Sequence, residues 1–308
     1  MKNKKLLGNG LLLLTAMIWG TAFVFQRVGM ENIGPVTFTA ARMALAAVVI
    51  GTLAFILRRK EKVSGKPSQE PKSYGRDTVV GGICCGSLLT IATILQQKGL
   101  VYTTAGKAGF ITALYILLVP VLSFWFLKKK YTWYVWIAVL LGMTGMYFLC
   151  INEGFSLEYG DIFVAVSALF FSFHILCCDH FVQLGNPLSI SAIQFAASAV
   201  ISFVAALIME EPSIDQLVSA AVPIVYCGIV SGGIGYTLQM VAQKYTDPAI
   251  ASMLMSMESV FALIAGVILL NEHMSSRELS GCIIMFIAIV LVQIPSFTRE
   301  KSLKDKKN

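Results

Sequence analysis

What most limits the folding of this chain is a succession of apolar runs, each about 20 residues long, the length a helix needs to cross the hydrocarbon core of a bilayer. About ten of them fill the sequence. They cover 7–26, 36–57, 78–97, 104–127 and 133–150, then 162–178, 188–209, 217–238, 249–270 and 279–294. Only 13% of the 308 residues are charged and 56% are apolar, with a mean hydropathy of +0.75. Soluble domains carry about 25% charged residues. A water-soluble core of this size cannot hide so much apolar side chain, so the implied solvent is lipid. The runs are continuous rather than alternating, which selects helices over a barrel. The expected fold is therefore all-α, with about ten transmembrane helices. The first run follows Lys2, Lys4 and Lys5 in the manner of a signal peptide. It is too long for one and leads at once into another span, so it reads as an uncleaved helix.

The net charge of +7 raises the question of nucleic acid. The basic residues do not form a binding face. Eighteen of the 24 sit in four patches: Lys2 to Lys5, Arg58 to Arg76, Lys128 to Lys130, and Arg299 to Lys307. With about ten alternating spans these patches share one side and skip every second loop. The positive-inside rule makes that side cytoplasmic and puts both termini there. No nucleic-acid partner is expected.

One phrase is written twice. "LQQKGLVYTTA" starts at Leu95 and "LQMVAQKYTDPA" at Leu238; each reads Leu-Gln, five residues, Tyr-Thr. The first copy ends the third span and the second ends the eighth. An odd number of crossings separates them, so the second half lies upside-down relative to the first. Pro35 and Pro187 open the second and seventh spans, 152 positions apart, whereas the phrases are 143 apart; the difference falls in the basic loop near Lys60 to Lys72. Inverted-topology repeats mark secondary transporters. The expected division is a first repeat at 1–150, a second at 151–296 and a basic tail at 297–308. Gly82-x-x-x-Gly86 and Gly228-x-x-x-Gly232 permit close helix packing. Their register differs by three from that of the phrases, so they are not read as mates.

Several stretches carry a family resemblance: "AMIWGTAFVFQRV" in the first span, "ARMALAA" in the second, "YTTAGKAGFITALYILLVP" in the fourth and "MESVFALIAGVILLNE" in the ninth. Together they resemble the drug/metabolite transporter superfamily, in its ten-helix branch with two EamA-type domains. The resemblance implies a ten-helix pseudo-symmetric secondary transporter in the bacterial inner membrane, an exporter or exchanger of small organic metabolites such as an amino acid or drug-like compound, working by alternating access. The chain departs from the family pattern at Glu258-Ser259, where Glu-Pro is common. It also departs at Leu127-Lys128 and Asn271-Glu272, where Gly-Glu is common. A channel or a non-transporting membrane sensor is the alternative class.

Polar residues inside apolar spans are costly, so each needs a partner, water or a function. Lys107 opens the fourth span and shares a face with Tyr115, where an ammonium can meet an anionic group or snorkel to the interface. Arg42 is read as a structural charge, capping carbonyls or meeting headgroups at the bundle edge. Glu258, deep in the ninth span, is the candidate for proton or cation coupling. Asp179 reads as a solvated helix end. Tyr236, Gln239 and Gln243 form a stripe at i, i+3 and i+7, with Gln96 as the equivalent of Gln239. Amides donate and accept without carrying charge, which suits a cavity wall or an interhelical bond. Trp19 with Phe23, and His174 with Phe170, supply aromatic faces for an apolar or cationic solute.

The enzyme classes fare poorly. His174, His180 and His273 lack HExxH spacing. Cys84-Cys85 and Cys177-Cys178 are adjacent rather than metal-spaced, and disulfides are not expected within spans. No phosphate-binding loop occurs. The sequence thus points to no cofactor and no metal, with a small-molecule substrate and the lipid bilayer as partners.

Overall fold

A computed structural model describes residues 2–31, 33–63, 74–102, 105–150, 159–270 and 275–304. Among these residues every regular element is a helix. In order they are α1 (Lys2–Gly29), α2 (Pro35–Val63), α3 (Tyr74–Tyr102), α4 (Ala105–Thr112), α5 (Tyr115–Leu127), α6 (Trp133–Cys150), α7 (Tyr159–Leu184) and α8 (Pro187–Met209). There follow α9 (Ile214–Ser219), α10 (Ala221–Val225), the π-helical π1 (Tyr226–Tyr236), α11 (Thr237–Gln243), α12 (Pro248–Met255), α13 (Glu258–Leu270) and α14 (Ser276–Lys304). Among the described residues seven helical stretches are long and apolar enough to cross a membrane, and Tyr115–Leu127 and Trp133–Phe148 are shorter apolar helices.

The distribution of side chains is that of a protein in lipid. Phe55, Val200, Phe203, Ile208 and Phe286 face outward and are more than half exposed. In water such a surface would drive association. The interior holds Thr15, Gln97, Ser167, Ser172, Gln194, Ser198 and Ser202 with no exposed surface at all. Trp125 and Trp133 flank the Lys128 to Lys130 patch and are exposed, as aromatic anchors at a membrane interface are.

The fourth and ninth runs are each broken. Turns at Ala113–Leu114 and Ser256–Met257 split them into α4/α5 and α12/α13. The chain tightens there: Ile116 N–H bonds Ala113 O at 2.9 Å, and Ser259 N–H bonds Ser256 O at 3.3 Å, both reaching back three residues. Around the second break the Ser252 and Ser256 hydroxyls donate to the carbonyls of Ala249 and Met253, a back-bonding that bends helices. Asp247 caps α12 through Ala249 N–H, with Pro248 at the first helical position. The two broken segments agree residue for residue. Ala105 and Pro248, Tyr115 and Glu258, and Trp133 and Ser276 open matching helices at one offset (248 − 105 = 258 − 115 = 276 − 133 = 143).

Packing sorts the helices into two groups. α7 packs on α3, α4 and α5, while α1 packs on π1, α11, α12 and α13. The pairs α2/α8 and α6/α14 join the groups. Each group thus contains a helix from the other half of the sequence, so the packed bundles are not the two sequence halves. α14 continues to Lys304, into the stretch expected as a basic tail.

Contacts also re-register the glycines. A Cβ on Gly86 would meet Gln194 O and Ala197 Cβ; a Cβ on Gly228 would meet Arg42 O and Leu45 Cβ. These partners stand at the proline offset (194 − 42 = 197 − 45 = 187 − 35 = 152), so Gly86 and Gly228 occupy matching places. They are 142 apart, against 143 for the Leu-Gln phrases. One extra residue therefore lies between Gly228 and Leu238, where the chain is largely π-helical. A hydrogen bond reaching five residues instead of four absorbs such an insertion without ending the helix.

Gly20 sets the approach of α1 to α13. A Cβ there would stand 2.6 Å from Glu258 O and Phe261 Cβ. Gly20→Leu should cost about 1–3 kcal/mol by overpacking. It should lower the unfolding temperature of the purified protein in detergent, whereas Gly51→Leu, with nothing within 4 Å of its added Cβ, should leave that temperature unchanged.

Candidate functional site

The two breaks face each other. Tyr115, the first residue after one, donates its hydroxyl to Oε1 of Glu258, the first residue after the other, at 3.0 Å. Tyr115 is 3% exposed and Glu258 5%, so the bond is internal and links the two helix groups. Interrupted backbone at membrane depth is tolerated where it lines a cavity, and here it does.

That cavity opens to solvent; about 430 Å³ of free space lies in and at its mouth, of which about 40 Å³ admits the centre of a water-sized sphere. α1 contributes Trp19, Phe23 and Gln26, one stripe at i, i+4 and i+7. Arg42 enters from α2, Gln96 from α3, and Phe171 from α7. Thr112, Tyr115 and Glu258 come from the breaks, and Ser231 and Tyr236 from π1. The Trp19 and Tyr236 rings lie 4.6 Å apart between centroids, making an aromatic wall. α1 is fastened to π1 by two backbone acceptors: Trp19 Nε1 donates to Ser231 O at 3.2 Å and Thr15 Oγ1 to Gly235 O at 3.3 Å.

Behind the wall, Gln26 Oε1 accepts from Arg42 Nη1 at 3.2 Å and from Gln97 Nε2 at 2.7 Å. The second bond crosses from α1 to α3 and so between the groups. Gln96 Nε2 donates to Thr112 Oγ1 at 3.1 Å, tying α3 to the first break.

The end that holds the start of α1 is closed by a different network. Lys129 Nζ meets Asp179 Oδ2 at 3.0 Å and Asp247 Oδ2 at 3.4 Å. Tyr131 donates to Asp247 Oδ1 at 3.1 Å. Burial and the Asp247 carboxylate push the Tyr131 phenol well above its ordinary range, so it remains a donor. Gln243 Nε2 donates to Ile175 O, Gln183 Nε2 to Lys244 O, and Thr246 Oγ1 to Asn9 Oδ1. At the opposite end Glu210 caps α2, accepting from the Val36 and Thr37 N–H groups and the Thr37 hydroxyl.

Six expected residues therefore share one cavity: Trp19, Phe23, Gln96, Tyr115, Tyr236 and Glu258. Arg42 joins them, interior at 5% exposure rather than at the bundle edge. His174, Gln239 and Gln243 lie off the wall, each 1% exposed. His174 bonds Gln194 at 3.1 Å and meets the Tyr236 ring edge-on at 5.8 Å, a supporting position. Asp179 is ion-paired rather than a solvated helix end. Lys107 lies on α4, and its side chain is outside the described residues.

Gln26, Thr112, Phe171 and Ser231 are wall residues that sequence reasoning passed over. Gln26 was readable as the next step of the Trp19 and Phe23 stripe. Phe171 was readable from the proline offset, which carries Trp19 onto it (171 − 19 = 152). Ser231 had no signal, because the π insertion sets its direction.

Comparison with known proteins bears on this geometry. The chain matches the EamA-like transporter family twice, over residues 6–151 and 158–294. It is 27% identical to an uncharacterized transporter of Archaeoglobus fulgidus over 92% of this chain and 84% of that protein. It is 23% identical to the uncharacterized transporter YoaV of Bacillus subtilis, over 92% and 96% of the two chains. It is 22% identical to the uncharacterized inner membrane transporter YedA of Escherichia coli, over 94% and 91%. A solved crystal structure superposes with a TM-score of 0.76 at 18% identity, covering 97% of this chain and 99% of the other, which establishes the likeness in fold.

The contact across the breaks can be weighed directly. A double-mutant cycle of Tyr115→Phe and Glu258→Gln, read by unfolding in detergent, should give a coupling of about 0.6–1.7 kcal/mol, the range for hydrogen bonds between membrane helices. Strictly additive losses would mean that the two side chains do not meet.

Proposed function

We propose that this chain, which belongs to the EamA-like transporter family, carries a small organic metabolite across the inner membrane by alternating access. The observation that carries the reading is the pair of broken helices whose tips, Tyr115 and Glu258, meet beside a polar and aromatic cavity in an otherwise apolar bundle. Transporters bind cargo at such interruptions, near the bilayer midplane and between repeated units.

In this reading the chain is two inverted repeats of five helices, 1–150 and 151–296, with both termini cytoplasmic. The matching offsets of 143 and 152, the paired contacts of Gly86 and Gly228, and the one-sided lysine pattern support it. The moving bodies are the two packed groups, one of α3, α4, α5 and α7 and the other of α1, π1, α11, α12 and α13. The cavity spans the middle and the outer half of the molecule, and the Lys129, Asp179 and Asp247 network closes the cytoplasmic half. Rocking would part that network and remake contacts around Gln26 and Gln97. Gln239 and Gln243, packed on the closed side, would then become wall residues for the inward-facing state.

Glu258 is the proposed coupling group. A neutral carboxyl can donate within the cavity and an ionised one can accept from Tyr115, so proton occupancy and cavity shape are linked through one bond. Cations such as Na⁺ would need more oxygen ligands than this carboxyl alone provides.

Two measurements test the reading. Purified protein in liposomes loaded with a pooled metabolite mixture should show saturable uptake and counterflow of at least one labelled compound; unsaturable flux with single-channel currents would instead make it a channel. Glu258→Gln and Lys107→Gln should reduce that flux without reducing the amount of folded protein. In parallel, Lys129→Ala should loosen the cytoplasmic end. A cysteine placed at Gln183 should then react faster with an impermeant maleimide applied from that side, above the native-cysteine background. The equilibrium shift expected is modest, because ion pairs open to solvent contribute about 0.2–1 kcal/mol and these side chains are about a third exposed or less.

A further inference from the structure

The cavity contains a permanent cation that no carboxylate pairs with directly among the described residues. Arg42 is 5% exposed, and a guanidinium stays charged at physiological pH. Its Nη1 bond goes to a neutral amide oxygen, Gln26 Oε1, which Gln97 already occupies. Its guanidinium carbon stands 5.6 Å from the centre of the Phe38 ring, the neutral Cys227 thiol is a further side-chain neighbour, and Nε has no hydrogen-bond partner among the described residues. The described residues offer it no ion pair. A buried charge left in this condition is costly, because lost hydration is not replaced.

Packing does not require the charge. The matching position in the other half is Gln194 (194 − 42 = 152), a neutral amide with no exposed surface that bonds His174. The same helix position is therefore compatible with a neutral side chain in this fold. The guanidinium is an addition on one wall only, and that wall faces the cavity.

We propose that Arg42 recognises a carboxylate, and that the cargo is a monocarboxylate with an apolar or aromatic body; this rests on the transporter reading above. A planar guanidinium matches a carboxylate with two parallel donors. The body of such a molecule has rings to lie against in Trp19, Phe23, Phe171 and Tyr236. One cation neutralises one negative charge. A phosphate monoester, with roughly −1.5 to −2 charges at neutral pH, would bring excess charge into a cavity that also holds the Glu258 carboxyl. A neutral amide of the same shape would leave Arg42 unmatched.

The test uses the full-length wild-type protein in detergent and three probes of similar size: 3-phenylpropionate, 3-phenylpropionamide and phenyl phosphate. Binding is read by tryptophan fluorescence or by thermal shift. The carboxylate should bind at least ~10-fold more tightly than the amide, as a charge-assisted pair does, and more tightly than the phosphate. Arg42→Gln should bring carboxylate and amide to near parity, and Arg42→Lys should retain part of the preference. The wild-type comparison stands even if a variant does not fold. Equal affinity for carboxylate and amide, no binding of either, or a preference for the phosphate would overturn the proposal, as would a carboxylate preference that survives in folded Arg42→Gln. The same probes then enter liposome counterflow. Carboxylate binding without flux would refute transport and leave the recognition site standing. Saturable flux indifferent to the carboxylate would refute the site and leave transport standing.

Discussion

Lipid offers no hydrogen bonds, and that single condition governs this molecule. Each polar group placed at membrane depth must find its partner within the bundle or beside a cavity. Many serines and threonines meet the condition locally, returning their hydroxyls to carbonyls three or four residues back, as Thr93, Ser167, Ser172 and Ser202 do, whereas Ser191, Thr237 and Ser259 have no partner for their hydroxyls among the described residues. The amides meet it at a distance: Gln97 reaches from α3 to Gln26 on α1, and Gln243 from α11 to the Ile175 carbonyl on α7. These longer bonds run between the two helix groups, which are thus joined in the interior by neutral bonds, with the Lys129–Asp247 ion pair at one end. An interface of neutral amides can be remade on the other side of the molecule without stranding a charge in hydrocarbon.

Matching positions in the two halves keep their place and change their chemistry. Trp19 corresponds to Phe171, Arg42 to Gln194, Thr93 to Tyr236 and Tyr115 to Glu258. In the first pair both members line the cavity; in the second and third, one lines it and the other sits behind. In the last pair the two residues bond each other. A symmetric scaffold thereby encloses an asymmetric site, with one guanidinium, one carboxyl and an aromatic floor. Asymmetry is useful for recognition, since a small organic molecule has no twofold axis.

Much of this was legible in the sequence because lipid simplifies the code. A continuous apolar run of about 20 residues has few alternatives to a helix, and every regular element among the described residues is a helix. The twice-written phrase located equivalent residues, and its offset carries through the broken helices. Two kinds of information were hidden. The breaks at Ala113 and Ser256 contain neither proline nor glycine and arise from backbone tightening within apolar runs. The orientation of polar side chains was also ambiguous, because a glutamine on a cavity wall and one bridging two helices look alike in a sequence. Gln96 lines the cavity and Gln239 is buried off its wall, though the phrase places them identically. Arg42 lies inside rather than at the bundle edge, and its place was hidden for a related reason: a span boundary uncertain by one turn separates the headgroups from the interior.

The π-helical insertion shows how that ambiguity is created. An extra residue rotates everything after it by about 100° relative to what precedes it, since a helix advances 3.6 residues per turn. Before the insertion, Gly228 keeps the register of Gly86 and lets π1 sit against α2. After it, Tyr236 follows the register of the phrase and points to the cavity. Without the extra residue only one of these faces could be satisfied. Within the insertion the helix presents carbonyls outward, and α1 uses two of them, at Ser231 and Gly235, to anchor Trp19 and Thr15. α3, the matching helix, is wholly α-helical, and no such anchor joins it to α7 among the described hydrogen bonds. The indole that walls the cavity is therefore fixed by a local defect in one half alone, and the difference between the halves begins in the backbone before any side chain is considered.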